Sequence, residues 1–132
     1  MVNGDLKTSK NTGDLRPQEI SAIQILVNSS GLDVFITGSA AKGQRRAIDS
    51  DLPLAVFGGS KKDTKSDIDY VVKIGLGDKA NRLPFPDVDS SWGVREVDYI
   101  NLSSGPTILF RPYADPILIE GSGRLYLDDT TN

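Results

Sequence analysis

The stretch Ser-Asp-Ile-Asp-Tyr-Val-Val, residues 66–72, decides the fold together with Val-Phe-Ile-Thr-Gly-Ser, residues 34–39. The earlier stretch is typical of a buried strand that ends in a tight turn and leads into a helix. The later stretch places two carboxylates at the head of a second buried strand. Because residues i and i+2 of a strand share a face, Asp67 and Asp69 should point one way while Ile68 points the other.

The spacing of these two carboxylates favours a metal site. Along one strand face they lie about 6–7 Å apart, and paired metal ions in phosphoryl-transfer sites lie roughly 3.5–4 Å apart. Two like charges on one buried face are costly unless a cation or water compensates them. The pattern therefore predicts that Asp67 and Asp69 bind divalent cations, with a structural ion-pair network to Lys65 or Arg46 as the alternative.

The turn before the predicted helix has the features of a phosphate site. Gly38 lets the chain leave the sheet sharply, and a side chain there would crowd a phosphate. Ser39 can cap the helix and donate its hydroxyl to a phosphate oxygen. Helical spacing puts Lys42 and Arg46 on the same face as Ser39, so both can neutralise phosphate charge. Lys65 precedes the acidic pair and is expected either to approach the same phosphates or to balance the local negative charge.

The composition narrows the possible chemistry. The 132 residues include no histidine and no cysteine, which excludes Ser-His-Asp hydrolysis, His-based zinc sites and thiol catalysis. The net charge of −3 argues against a protein that coats nucleic acid through bulk electrostatics. No apolar run is long enough to predict a membrane span, so we expect no membrane partner.

The order of the predicted elements indicates an α+β fold with a mixed sheet and helices mainly on one face. Residues 1–16 are polar and are expected to form a flexible leader, and residues 17–132 a single domain. We expect two helices, at about residues 17–30 and 39–47, and a loop insertion at 48–64. The strands are expected at about 33–37, 67–74, 94–101 and 108–110, with a terminal hairpin at 117–127.

The combination of Gly38-Ser39, a short basic helix and Asp67-Ile68-Asp69 resembles the nucleotidyltransferase superfamily that includes DNA polymerase beta. Over about residues 17–75 the chain looks most like a branch found as C-terminal toxin modules of bacterial polymorphic toxins. The interval between Ser39 and Asp67 is longer than the family usually has. The family also carries a third carboxylate on a later strand, which the resemblance assigns to Asp98, with Glu96 as the alternative.

The resemblance implies transfer of a nucleoside monophosphate from an NTP to an acceptor hydroxyl, with release of pyrophosphate. Gly38 and Ser39 would hold the β- and γ-phosphates while Asp67 and Asp69 bind two Mg²⁺ ions. Asp98 would help to activate the acceptor, which the resemblance suggests is a tRNA 3′ end or a protein hydroxyl.

The toxin branch implies a bacterial effector that is secreted or delivered into the cytoplasm of a target cell and countered by a cognate immunity protein. The polar leader, which looks like the remnant of a linker, agrees with that expectation. Two other functions stay open. One is a minimal nucleotidyltransferase antitoxin that modifies its partner toxin, and the other is a catalytically dead binding module. Trp92 and Tyr99 can stack on a base, although either can equally be a core aromatic.

Overall fold

The computed structural model describes the backbone of residues 6–130 and the side chains of residues 6–128. Its α+β architecture confirms the expected fold class. The three helices are α1 (Pro17–Ser30), α2 (Gly38–Lys42) and α3 (Gly77–Asn81). The eight strands are β1 (Leu6–Ser9), β2 (Val34–Thr37), β3 (Asp69–Lys73), β4 (Arg95–Val97), β5 (Tyr99–Asn101), β6 (Thr107–Phe110), β7 (Ile117–Gly121) and β8 (Arg124–Tyr126).

Six strands form a mixed sheet in the order β1-β7-β6-β2-β3-β4, and β5 pairs with β8 in a separate two-stranded sheet. Every neighbouring pair in the larger sheet is antiparallel except β3 and β4, which are parallel. The two central strands, β2 and β6, consist almost entirely of apolar residues that are buried on both faces, which is why they occupy the middle.

The helices pack on one face of the large sheet, as the sequence predicts. The core on that face joins Ile23 and Val27 of α1 to Ala40 and Ala41 of α2 and Ala80 of α3. The opposite face packs against the small sheet through a second cluster of buried residues: Phe35, Val71, Ile100, Leu102, Leu109, Ile119, Leu125 and Leu127. The chain therefore has a helix layer, a sheet and a partial second sheet.

Three boundaries differ from the sequence prediction. Residues 6–9 of the predicted leader form β1, an exposed edge strand paired with β7, and residues 1–5 lie outside the described part. The single strand expected at 94–101 is split between the two sheets. The expected terminal hairpin does not form as one unit, since β7 pairs with β1 and β6 while β8 pairs with β5.

The second helix is also shorter than predicted. It ends at Lys42 because Gly43 adopts the left-handed conformation of a helix cap, with φ of 72°. The segment after it leaves the core and returns to the same place, where the backbones of Arg46 and Ser66 are hydrogen-bonded. Residues 47–65 thus form a long loop whose two ends are joined beside β3, consistent with the predicted insertion.

Candidate functional site

The Gly-Ser turn and the acidic strand meet, although they are far apart in sequence. Strands β2 and β3 are antiparallel neighbours, and their register places Thr37 opposite Asp69. Gly38 follows with φ of 71°, and a Cβ atom at this position would overlap the Asp69 carboxylate. Only glycine allows both the backbone angle and the close approach of Asp69.

The alternation predicted for the acidic strand is present. Ile68, Tyr70 and Val72 are buried in the core on the helix side. Asp67 and Asp69 are half-buried and contribute to one cleft. Burial, reinforced by the negative charge of Asp69 and by a hydrogen bond between the two carboxyl groups, raises the pKa of Asp67 to about 6. The pair is therefore an unneutralised acidic centre that favours an incoming cation.

The cleft at this acidic centre has a volume of about 190 Å³. Its remaining walls come mainly from the long loop, and they include one basic residue, Lys61, and two aromatic residues, Phe57 and Trp92. The ring centroids of Phe57 and Trp92 are 4.6 Å apart in an edge-to-face arrangement. The Arg95 guanidinium lies over Trp92, 4.3 Å from its ring centroid. The cleft thus combines carboxylate side chains, a lysine side chain and exposed aromatic rings.

A third carboxylate lines the cleft, but it holds the loop in place. Asp89 is 6% exposed, and its Oδ2 accepts a hydrogen bond of 2.8 Å from the Phe57 amide. Its Oδ1 accepts from the amide and hydroxyl of Ser91 at 2.9 and 2.6 Å. Burial would raise the pKa of Asp89, yet these hydrogen bonds hold it below its ordinary value. Asp89 is therefore an ionised anchor that ties Phe57 to the acidic centre.

The structure does not bring Asp98 or Glu96 to the acidic pair, which corrects the predicted third carboxylate. Parallel register places Arg95 beside Val71, so the chain past β4 lies at the far end of β3 from Asp69. At about 3.3 Å per residue, Asp98 is some 15 Å or more along the sheet from that carboxylate. Glu96 faces the helix side and accepts a hydrogen bond from the Gly77 amide at the start of α3.

The predicted basic residues are dispersed. Arg46 lies beyond the end of α2, and its guanidinium donates to the carbonyls of Lys61 and Thr64, so it shapes the loop. Lys65 pairs with Asp87 at 3.8 Å. Lys42, at the last position of α2, runs against Gly105, where a Cβ would overlap its side chain.

None of these three lysine and arginine side chains lines the cleft. Ser39 is half-buried in the first turn of α2, directly after the glycine that contacts Asp69. Lys42 lies three residues after Ser39 in α2, as expected, but the expectation that Arg46 shares their helical face is wrong, because Gly43 ends the helix before it.

A buried ion cluster supports the site from the helix side. The Arg45 side chain is 1% exposed and donates to both oxygens of Glu19, at 2.7 and 3.1 Å, and to Asp87 at 3.4 Å. Burial would raise the pKa of Glu19, but the hydrogen bonds from Arg45 and its neighbours hold it at about 2. The Asp87 carbonyl accepts from the amide of Ile68, so the cluster fixes the backbone between the two acidic residues.

Sequence reasoning missed Phe57, Asp89 and Lys61 as site residues. Phe57 and Lys61 belong to a loop with no periodic pattern, and their sequence positions give no signal that they return to β3. Asp89 carries one available signal: Asp-x-Ser is a common side-chain-to-backbone turn, so an anchoring role could have been predicted.

The residues present fit a magnesium ion shared with a phosphate ligand. Among residues 6–128, no group of three or more acidic, cysteine or histidine side chains is arranged to enclose a metal. Mg²⁺ commonly takes only one or two carboxylates and completes its coordination with water and substrate phosphates. The oxygen ligands offered by Asp67 and Asp69, which lie close enough to share a hydrogen bond, suit that mode.

Comparison of the chain with protein-family models, with curated proteins and with solved structures finds no match. In the part of the chain that is described, no helix combines the length and the hydropathy needed to cross a bilayer.

Proposed function

We propose that this chain is a Mg²⁺-dependent nucleotidyltransferase that moves a nucleoside monophosphate from an NTP to an acceptor hydroxyl. The observation that carries the proposal is the contact between the Gly38 turn and the Asp69 carboxylate. Two motifs separated by a long loop meet on adjacent antiparallel strands, and β4 lies parallel beside β3. The α+β architecture, with a mixed sheet and a helix layer on one face, agrees at that coarse level with the resemblance to the DNA polymerase beta superfamily.

In the proposed reaction, the acceptor oxygen forms a bond to the α-phosphorus as the bond from that phosphorus to the oxygen bridging to the β-phosphorus breaks. Pyrophosphate leaves with the electron pair of that bond, and the acceptor proton passes to water. Mg²⁺ bound by Asp67 and Asp69 would neutralise phosphate charge and orient the triphosphate.

Gly38 lets the Asp69 carboxylate pack against the turn, and Ser39 follows it with a hydroxyl donor, although the cleft itself is lined by neither residue. Lys61 takes over the neutralising role expected of Lys42 and Arg46, because among the three it alone lines the cleft.

We also propose, on the resemblance to polymorphic-toxin modules, that the activity is toxic and is countered by an immunity protein. The acceptor would be a tRNA 3′ end or a protein hydroxyl in the cytoplasm of the target cell. The long loop between the two motifs, which the antitoxin reading does not account for, favours the toxin reading.

The position of the third carboxylate favours one other candidate, a binding module that retains the fold without catalysis. Asp98 lies at the far end of β3 and Asp89 is fully engaged by amide and hydroxyl donors. A nucleotide-binding protein with no transferase activity would have this arrangement.

One experiment separates these possibilities. The protein is incubated with each of the four NTPs carrying an α-phosphate label, with Mg²⁺ and a bacterial extract, and labelled macromolecules are separated. Covalent label on RNA or protein that disappears in Asp67→Asn/Asp69→Asn supports the transferase. NTP binding without covalent label would establish the binding module instead.

Expression in a bacterium lacking any immunity protein tests the toxin assignment. Growth arrest that is relieved by Asp67→Ala supports it. Normal growth, with the protein shown to be active in the labelling assay, would contradict it and favour the antitoxin.

A further inference from the structure

The most unusual surface outside the acidic pair is the aromatic rim of the cleft, formed by Phe57 and Trp92. Phe57, in the long loop, is 69% exposed, and Trp92, which its ring contacts, is 36% exposed. Contiguous exposed apolar surface that lines a cleft is typical of ligand-binding grooves. Both rings line the same cleft as Asp67 and Asp69.

The rim is built, since specific contacts fix each ring. The buried carboxylate of Asp89 holds the Phe57 amide, and the backbone carbonyl of Asp89 accepts from the amide of Trp92 at 3.1 Å. Arg95 stacks on Trp92, and Phe57 meets Trp92 edge to face. Asp89 thus holds the backbone of both aromatic residues, while the rings contact each other. In the described structure, the exposed ring of Phe57 has no partner ring apart from Trp92.

We propose that Phe57, supported by Trp92, is a stacking site for the nucleobase of the nucleotide whose phosphates bind at Asp67 and Asp69. The inference rests on the proposed function and adds a specificity element supplied by the long loop. A planar heteroaromatic ring gains from stacking on an exposed aromatic face, and every base has such a face. Purine rings cover more of Phe57 than pyrimidines do, so ATP and GTP should bind more tightly than CTP and UTP.

Trp92 is the only tryptophan in the chain, so its fluorescence reports on the rim directly. With Mg²⁺ present, the protein is titrated with ATP, GTP, CTP and UTP, and with inorganic tripolyphosphate, which has phosphates but no base. We expect quenching by the NTPs, strongest for purines, and little quenching by tripolyphosphate even where calorimetry shows that it binds.

Variants then distinguish the loss of base stacking from a change in the conformation of the loop. Phe57→Ala should weaken ATP binding in calorimetry by roughly 5- to 150-fold, the range that base stacking on an aromatic ring supplies, and leave tripolyphosphate binding unchanged. Phe57→Tyr should restore ATP affinity because it keeps the ring. Tyr113→Ala is the matched control, since Tyr113 is 83% exposed and lines a different cavity.

The outcomes for this site and for the proposed function are distinguishable. Equal loss of ATP and tripolyphosphate affinity in Phe57→Ala, or no loss of either, would overturn the stacking site. If labelled transfer still depends on Asp67 in that case, the transferase proposal stands without it. Phe57-dependent ATP binding in a protein that transfers no label would support the stacking site and contradict the transferase.

Discussion

Two regions of this molecule each bring carboxylates together, but they differ in whether a cationic side chain neutralises the negative charge. At the buried cluster, Arg45 donates to both oxygens of Glu19, whose pKa is held at about 2. At the cleft, the pKa of Asp67 rises to about 6, because burial and Asp69 act on it with no cation paired to it in the described structure. In the first region, a buried arginine neutralises Glu19. The second is left for a cation to enter, which is why we place function there.

The largest expected effect is loss of activity when the uncompensated pair is neutralised. Asp67→Asn/Asp69→Asn should lower nucleotide transfer by roughly 1000-fold or more, since metal-assisted charge stabilisation supplies several kcal/mol. Removing two repelling charges should leave the free energy of unfolding unchanged or raise it by about 1 kcal/mol, a value reduced for solvent screening. Labelled transfer and urea unfolding measure the two effects.

Asp98→Asn is the control for this pair, because the parallel register puts Asp98 far from the cleft. It should keep transfer within about twofold of wild type, the scale expected of an exposed charge. A loss in Asp98→Asn as severe as that in the double variant would restore Asp98 as the third carboxylate that the resemblance assigns.

The sequence predicts the strands of the core well because their signals are local. Alternation at residues 67–72 correctly assigns Ile68 and Tyr70 to the core and the two aspartates to the other side. Strand β1 escapes prediction because Leu6–Ser9 is an exposed polar edge held by backbone hydrogen bonds to β7. None of its four residues is buried, so its sequence lacks the apolar alternation that predicts a strand.

The site is only half predictable for a related reason. The motif and the strand period are enough to single out three candidate residues from the sequence: Gly38, Asp67 and Asp69. Phe57 reaches the cleft through a hydrogen bond to Asp89, a contact across 32 residues that no local pattern encodes. Arg45 resembles any basic residue of an exposed helix, yet Gly43 ends the helix before it and lets its side chain turn inward to Glu19.

The ion pair between Glu19 and Arg45 should make the free energy of unfolding fall at low pH. Because the folded-state pKa of Glu19 lies below its ordinary value of 4.5, the folded protein takes up this proton at lower pH than the unfolded chain. The stabilisation is complete above pH 4.5 and is lost as the pH falls through about 2. It amounts to at most about 3 kcal/mol.

Urea unfolding at a series of pH values measures this loss. Glu19→Gln should be less stable at pH 7 and should flatten the decline between pH 4.5 and 2. Asp49→Asn is the control, since Asp49 also pairs with an arginine but its side chain is 87% exposed. Identical declines in wild type and Glu19→Gln would show that Arg45 does not hold Glu19 ionised.

The contact between turn and carboxylate can be tested with two glycines of nearly the same backbone angle. Gly38 has φ of 71° and Gly31 has φ of 73°, but only Gly38 faces an obstacle, the Asp69 carboxylate. Gly31→Ala should cost about 1 kcal/mol of unfolding free energy from strain alone and leave transfer unaffected.

Gly38→Ala should cost more, about 2 kcal/mol, because strain and displacement of Asp69 add. It should also lower transfer at least tenfold, the equivalent of about 1.4 kcal/mol in the barrier. Equal stability and equal activity in the two variants would remove the Gly38–Asp69 contact from the site.

The smallest expected effect concerns Lys61, the basic side chain of the cleft. Lys61 lines it and the neighbouring Lys62 does not. Lys61→Ala should raise the KM for NTP about two- to fivefold at low salt, because an exposed lysine contributes a fraction of a kcal/mol to binding an anion. The difference from wild type should shrink at high salt as screening weakens the attraction. Lys62→Ala, which removes the same charge one residue away, should leave KM unchanged at both salt concentrations. If the two variants raise KM equally, the loop acts through its overall positive charge and Lys61 has no specific place at the phosphates.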